Sequence, residues 1–250
     1  MTDTQSAVAA FAAARANVLA RIAAACERVG RAPEEVTLVA VSKTVDAERL
    51  RDAVVAGQTL FGENRVQEGA AKAGEVSGAR WHLIGPLQSN KARRALAVYE
   101  VIQTVESVEL AERLDRLARE VRGAGPTDRY PVLLQVNVDD DPAKAGFQPD
   151  ALGEALERLV ALDALEVRGL MTIGRLVERP EAARPTFVAL RALAERLRAG
   201  DSPLGPELSM GMTDDFEVAV EEGATIVRVG RALFGERPHH HGEGAVDHTH

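Results

Sequence analysis

Thirty basic residues occur in this chain, and only four of them are lysines: Lys43, Lys72, Lys91 and Lys144. Arginine stays protonated in water, whereas a lysine becomes a nucleophilic amine once burial or a nearby cation lowers its pKa. Any amine chemistry therefore has few candidates. Lys43 follows the apolar run Val36-Thr37-Leu38-Val39-Ala40-Val41, of the kind found in strands buried on both faces. A lysine projecting from such a strand end into a desolvated mouth could form a Schiff base with an aldehyde or ketone. The plainer reading is a surface lysine that caps the strand. Deprotonating an ordinary lysine at neutral pH costs roughly 4–5 kcal/mol, so the nucleophilic reading requires surroundings that lower that cost.

Four more constellations gather polar groups at strand ends. In Phe61-Gly62-Glu63-Asn64, Asn64 is either a contact at the next junction or a helix N-cap. Trp81-His82-Leu83-Ile84-Gly85-Pro86 runs into a turn, and His82 is the one histidine before residue 239. A lone strand histidine is more often a satisfied interior group than a catalyst. Leu208-Ser209-Met210-Gly211 leads into Asp214 and Asp215, which suit a helix N-terminus but would repel an anion seated directly on it. An anion there would use the backbone and the Ser209 hydroxyl. Finally, Arg228 interrupts the apolar run Ile226-Val227-Arg228-Val229, and Gly230 opens a short helical segment. Free N–H groups at such a start bind phosphate, and the buried arginine needs a partner, either a ligand or an internal salt bridge. No metal-site spacing, nucleophile elbow, P-loop or dinucleotide fingerprint is present, and Cys26 reads as a packing residue.

Strand-like runs near residues 36–41, 59–61, 80–84, 101–105, 132–138, 167–173, 207–210 and 225–229 alternate with helical stretches. Glycine after an alanine-rich helix over 6–29 marks its stop. Eight such units predict a single closed (β/α)8 barrel, with a doubly wound open sheet as the alternative. A barrel takes about 250 residues, so residues 1–237 are expected to form one domain, with no second domain. Residues 238–250, rich in histidine, are expected to form a disordered tail. A net charge of −8 argues against nucleic-acid binding. The single cysteine excludes an intrachain disulfide and makes the cytoplasm the expected location. No membrane span and no secretory leader are expected.

Taken together, Val41-Ser42-Lys43-Thr44, Phe61-Gly62-Glu63-Asn64, Trp81-His82 with Ile84-Gly85-Pro86-Leu87-Gln88-Ser89-Asn90-Lys91, Arg168-Gly169-Leu170-Met171, Leu208-Ser209-Met210-Gly211-Met212 and Val227-Arg228-Val229-Gly230 with Phe234-Gly235 resemble the YggS/PROSC family of pyridoxal phosphate homeostasis proteins. The resemblance implies a pyridoxal phosphate-binding barrel like the N-terminal domain of alanine racemase (fold type III), without the second β domain. By position Lys43 resembles the Schiff-base lysine and Arg228 the residue facing the pyridine nitrogen. Ser209 and Gly211, with the Gly230 and Arg231 backbone, resemble the phosphate cradle, and Asn64 a contact near the ring's oxygen substituent. Lys144 falls where the family often has a lysine linked to cofactor transfer. Arg231 replaces a small hydroxyl residue common there, so only its backbone role carries over.

These residues imply a cofactor carrier or buffer with little or no turnover. An arginine can only donate, which leaves the pyridine nitrogen neutral and the electron sink weak. Expected partners are pyridoxal phosphate and apo-enzymes that receive it, and a monomer is the expected state. The alternatives are a pyridoxal phosphate-dependent amino-acid racemase or decarboxylase, and a cofactor-free barrel that uses a lysine Schiff base.

Overall fold

The computed structural model describes residues 3–175, 177–199 and 203–235. The expected residues 238–250 tail lies outside them. An N-terminal helix α1 (Asp3–Arg28) precedes eight strands: β1 (Thr37–Val41), β2 (Leu60–Glu63), β3 (Arg80–Leu83), β4 (Val101–Val105), β5 (Tyr130–Gln135), β6 (Leu165–Met171), β7 (Glu207–Met212) and β8 (Ile226–Val229). They alternate with α2 (Ala47–Val55), α3 (Val66–Glu75), α4 (Ala92–Val98), α5 (Val108–Arg122), α6 (Pro149–Val160), α7 (Arg184–Arg198), α8 (Phe216–Glu221) and α9 (Arg231–Phe234). Every neighbouring pair is parallel, and β1 pairs with β8, so the sheet closes. That closure decides between the barrel and the open sheet.

The strands run nearly continuously apolar because both faces are covered. Outward residues pack under the helices. Inward ones form a separate small cluster of Val39, Leu60, Leu133, Met171 and Ile226. Inward positions recur at every second residue, which sets Lys43 in phase with Val39, and Arg228 in phase with Ile226. Several strand ends differ from expectation by two or three residues, and β5 and β7 show why. The fifth strand stops at Gln135 because Phe147 donates to the Gln135 carbonyl (2.8 Å) and Asn137 donates to Phe147 (2.9 Å), bending the chain away. The register of β7 against β8 shifts between Ser209 and Met212. Gly211 permits this with φ +88°, and a Cβ there would lie 2.5 Å from Ala219 Cβ.

Helix α1 is long and apolar enough to cross a membrane by length and composition, a property its many alanines supply. Its buried stripe of Phe11, Val18, Ile22, Ala25 and Cys26 packs on the barrel, chiefly against α8, α2 and α9. The Phe11 ring sits 5.1 Å from that of Phe234.

Candidate functional site

Active sites of such barrels lie at the C-terminal strand ends, and most of the residues singled out from the sequence meet there. Lys43 is the second residue past β1 and is half-buried. Both of its neighbours are held by one buried charge cluster. The Lys72 ammonium, on α3, donates to the Ser42 carbonyl (2.8 Å), to Glu63 Oε1 (2.7 Å) and to Glu68 Oε1 (2.6 Å). Ser42 Oγ donates to Glu63 Oε1 (2.7 Å), and the Thr44 N–H donates to Glu68 Oε1 (2.8 Å). Thr44 has φ +67°, a costly conformation for a β-branched residue. The cluster holds the turn that carries Lys43 in that strained form. Burial pushes the Glu63 carboxyl above its ordinary range, although Lys72 and Ser42 oppose the shift. For Glu68 burial acts the same way, but Lys72 and the Thr44 N–H outweigh it and the carboxyl falls below its ordinary range.

Asn64 lies between β2 and α3. The helix N-cap is Arg65, with no side-chain capping bond, so Asn64 is not the cap. The β3 exit crosses closely over it: a Cβ on Gly85 would lie 2.4 Å from the Asn64 carbonyl oxygen. Only glycine fits that crossing. Ser89 and Asn90 fall in or beside a short 3-10 turn before α4 and make no capping bond.

On the neighbouring strand β8, in register with Val39, Arg228 is buried inside the barrel at 4% exposure. It donates to Ser209 Oγ (2.6 Å) and to the Thr172 carbonyl (2.7 Å), and neither acceptor is a carboxylate. Burial lowers its pKa to about 10 despite the opposing charge of Asp215. The expected alternative of an internal salt bridge is therefore absent among the described residues. Ser209 is fully buried, and its own proton goes to Gln103 Oε1 (2.6 Å). Its hydroxyl is thus engaged within the barrel, below the strand ends. The hydroxyl at the β8–α9 junction is that of Thr213, which accepts from the Gly230 N–H at 3.2 Å. Gly211 faces α8 rather than the mouth. Gly230 caps α9, whose first N–H groups lack intrahelical acceptors. The Arg231 guanidinium pairs with Asp214 on the rim, and Asp215 accepts from the Met212 N–H (2.6 Å). The carboxylates expected to repel an anion are thus engaged with other groups.

Residues 15–238 match the alanine racemase N-terminal domain family. The chain belongs to that family. A protein of Aquifex aeolicus named pyridoxal phosphate homeostasis protein is 41% identical over 222 residues, covering 88% of this chain and 95% of that one. A protein of Escherichia coli K12 with the same name is 40% identical over 233 residues, covering 89% and 94%. Among solved structures, PipY of Synechococcus elongatus PCC7942 with pyridoxal phosphate bound superposes with a TM-score of 0.75 at 42% identity, over 86% of this chain and all of that one. An alanine racemase of Clostridium difficile shares only the fold, with TM-score 0.69 and 14% identity, and its chain is covered over 57% of its length.

Within this family barrel, two groups of residues carry little signal in sequence. Glu63, Glu68 and Lys72 form the cluster around Lys43, and the one readable hint was the Glu68–Lys72 spacing along a helix. Thr213, beside Asp214, carries no pattern that sets it apart from an ordinary turn residue. Lys144 lies in the segment between β5 and α6. It borders a cavity of about 260 Å³ with Pro86, Gln135, Asn137 and Ile173. Its ammonium lies 3.7 Å from Asp139 and 3.6 Å from Asp141, and it is buried without a hydrogen bond.

Proposed function

We propose that this chain binds pyridoxal phosphate at the C-terminal mouth of its barrel and serves intracellular cofactor homeostasis as a carrier or buffer, with little or no turnover. The observation that carries the reading is the pairing of an inward-phase lysine past β1 with a buried arginine that meets no carboxylate. The donor set fits the cofactor group by group. The Lys43 amine suits an aldehyde carbon, condensing with loss of water. Arg228 has N–H groups beyond those given to Ser209 and Thr172, and they suit a neutral ring nitrogen. The Gly230 junction, the α9 start and the Thr213 hydroxyl suit a phosphate. In this reading Thr213, and not Ser209, supplies the cradle hydroxyl, because Ser209 already donates to Gln103 and accepts from Arg228. Asn64 is placed near the ring substituents, and the Gly230 and Arg231 backbone contributes to the cradle.

Bound pyridoxal phosphate supplies an electrophilic carbon and a ring that withdraws electron density. Arg228 cannot give up a proton at neutral pH, so it holds the ring nitrogen unprotonated and restrains that withdrawal. The names of the relatives point the same way, since they denote homeostasis rather than a reaction. We further propose that the carrier acts as a monomer in the cytoplasm and delivers to apo-enzymes, with Lys144 at the mouth as a secondary lysine for transfer. The test is to load the protein, remove free cofactor, and measure reactivation of an apo-enzyme. Delivery without exchange of the Cα hydrogen of L-alanine or L-serine in deuterium oxide is expected. Exchange at enzyme-like rates would instead favour a racemase or decarboxylase.

A further inference from the structure

Inside the barrel, Arg228 heads a chain of buried hydrogen bonds that crosses from β8 to β3. Arg228 donates to Ser209 Oγ at 2.6 Å, Ser209 Oγ donates to Gln103 Oε1 at 2.6 Å, and Gln103 Nε2 donates to His82 Nδ1 at 2.8 Å. All four side chains are buried, with Ser209 and Gln103 fully so. Gln103 lies on β4 and Ser209 on β7, strands that are not neighbours, so this bond spans the interior.

With the Gln103 amide oriented as above, each group in the chain takes one role. A guanidinium only donates, so Ser209 must accept from it. The single serine proton then goes to Gln103, which turns the amide carbonyl toward β7 and the amide nitrogen toward β3. His82 must accept at Nδ1, and its proton therefore sits on Nε2. His82 also lines a cavity of about 370 Å³ at the opposite end of the barrel, with Arg80, Glu100 and Glu207. The cation at the head polarises every bond behind it in the same sense. Burial, with the nearby charges of Arg80 and Arg168, lowers the His82 pKa to about 3, which suits a permanently neutral acceptor.

We propose that Ser209, Gln103 and His82 are positioning residues that fix the plane and direction of the Arg228 guanidinium, so that its remaining N–H groups present to the cofactor ring. This rests on the cofactor reading above. The same chain would be mere interior filling if Arg228 did not face a ligand, and the two differ in what a spectrum sees. The hydrogen bond at the ring nitrogen tunes the chromophore, whereas filling affects only stability.

The experiment compares Gln103→Leu, Ser209→Ala and Ser209→Thr in the parent and in an Arg228→Met background. It reads the visible absorption maximum after pyridoxal phosphate loading, the cofactor Kd, and thermal unfolding without cofactor. Gln103→Leu and Ser209→Ala are expected to move the maximum and weaken the Kd about tenfold, the effect of one lost hydrogen bond. Ser209→Thr, which keeps the hydroxyl, should retain both. In the Arg228→Met background the further substitutions should leave the spectrum unchanged. The assignment is overturned if Gln103→Leu and Ser209→Ala lower only the unfolding temperature, or if they shift the spectrum equally without Arg228. Should those variants fail to fold, the nitrogen-15 resonances of His82 in the parent decide. A proton on Nε2 is expected, and a proton on Nδ1 would reverse the chain and overturn it. A parent that takes up no pyridoxal phosphate at all would remove the functional reading itself, a result distinct from the others.

Discussion

Lys72 and Arg228 are both buried cations at the same end of the barrel, at 8% and 4% exposure, yet Lys72 meets two carboxylates and Arg228 meets none among the described residues. The two environments do different work. Around Lys72 the cation is answered by carboxylates, and every donated bond falls on a group that fixes the backbone beside Lys43. Around Arg228 the contacts are neutral oxygens, which orient the cation without satisfying its charge. A cation paired with carboxylates holds a turn in place, and a cation without one is left with capacity for a ligand.

The comparison breaks most visibly if the two cations are removed. Lys72→Met strands Glu63 in the interior and should lower stability by about 3–5 kcal/mol in urea unfolding. Arg228→Met removes a desolvated charge with no carboxylate partner, and its loss should stay within about 1 kcal/mol while cofactor retention falls. Equal losses would erase the distinction.

Acid provides the next test. The His82 pKa is lowered to about 3 in the fold from an ordinary unfolded value of about 6.5. The unfolded chain therefore binds the extra proton first, and stability is present above pH about 6.5 and lost as pH falls toward 3. The contribution is on the order of 5 kcal/mol. Glu63 runs in the opposite sense, because a raised carboxyl favours the fold at low pH and loses that contribution as pH rises through the folded value. Urea titrations of parent and His82→Gln between pH 3 and 7 isolate the histidine share as the difference in slope. A parallel pair of curves would contradict the assignment of a neutral buried His82.

A smaller effect sharpens the contrast between Ser209 and Thr213. Thr213→Val should weaken pyridoxal phosphate binding about ten- to a hundredfold, as expected for a hydrogen bond to a charged group. It should leave the binding of pyridoxal, which lacks the phosphate, unchanged. Sensitivity to Thr213 with both ligands would place the threonine elsewhere in the site.

How much of this was legible in the sequence follows the range of the interactions. The barrel could be read because each buried strand is a short apolar run that announces itself locally, as in residues 36–41. Lys43 and Arg228 stood out because a charge at the end of, or within, such a run is expensive unless used. The relay through Ser209, Gln103 and His82 could not be read, since its partners come from β7, β4 and β3 and meet only when the sheet closes. Thr213 was hidden by the register shift after Ser209, which breaks the period of two between the two hydroxyls. Lys72 was hidden for another reason: a lysine on a helix reads as solvated until the strand ends it reaches are known.

The most direct test of the account is borohydride reduction of the protein loaded with pyridoxal phosphate, followed by proteolysis and mass spectrometry. One principal reduced adduct is expected, on Lys43, and none in Lys43→Ala. A principal adduct on Lys72, Lys91 or Lys144 in the parent, or undiminished labelling of Lys43→Ala, would contradict it.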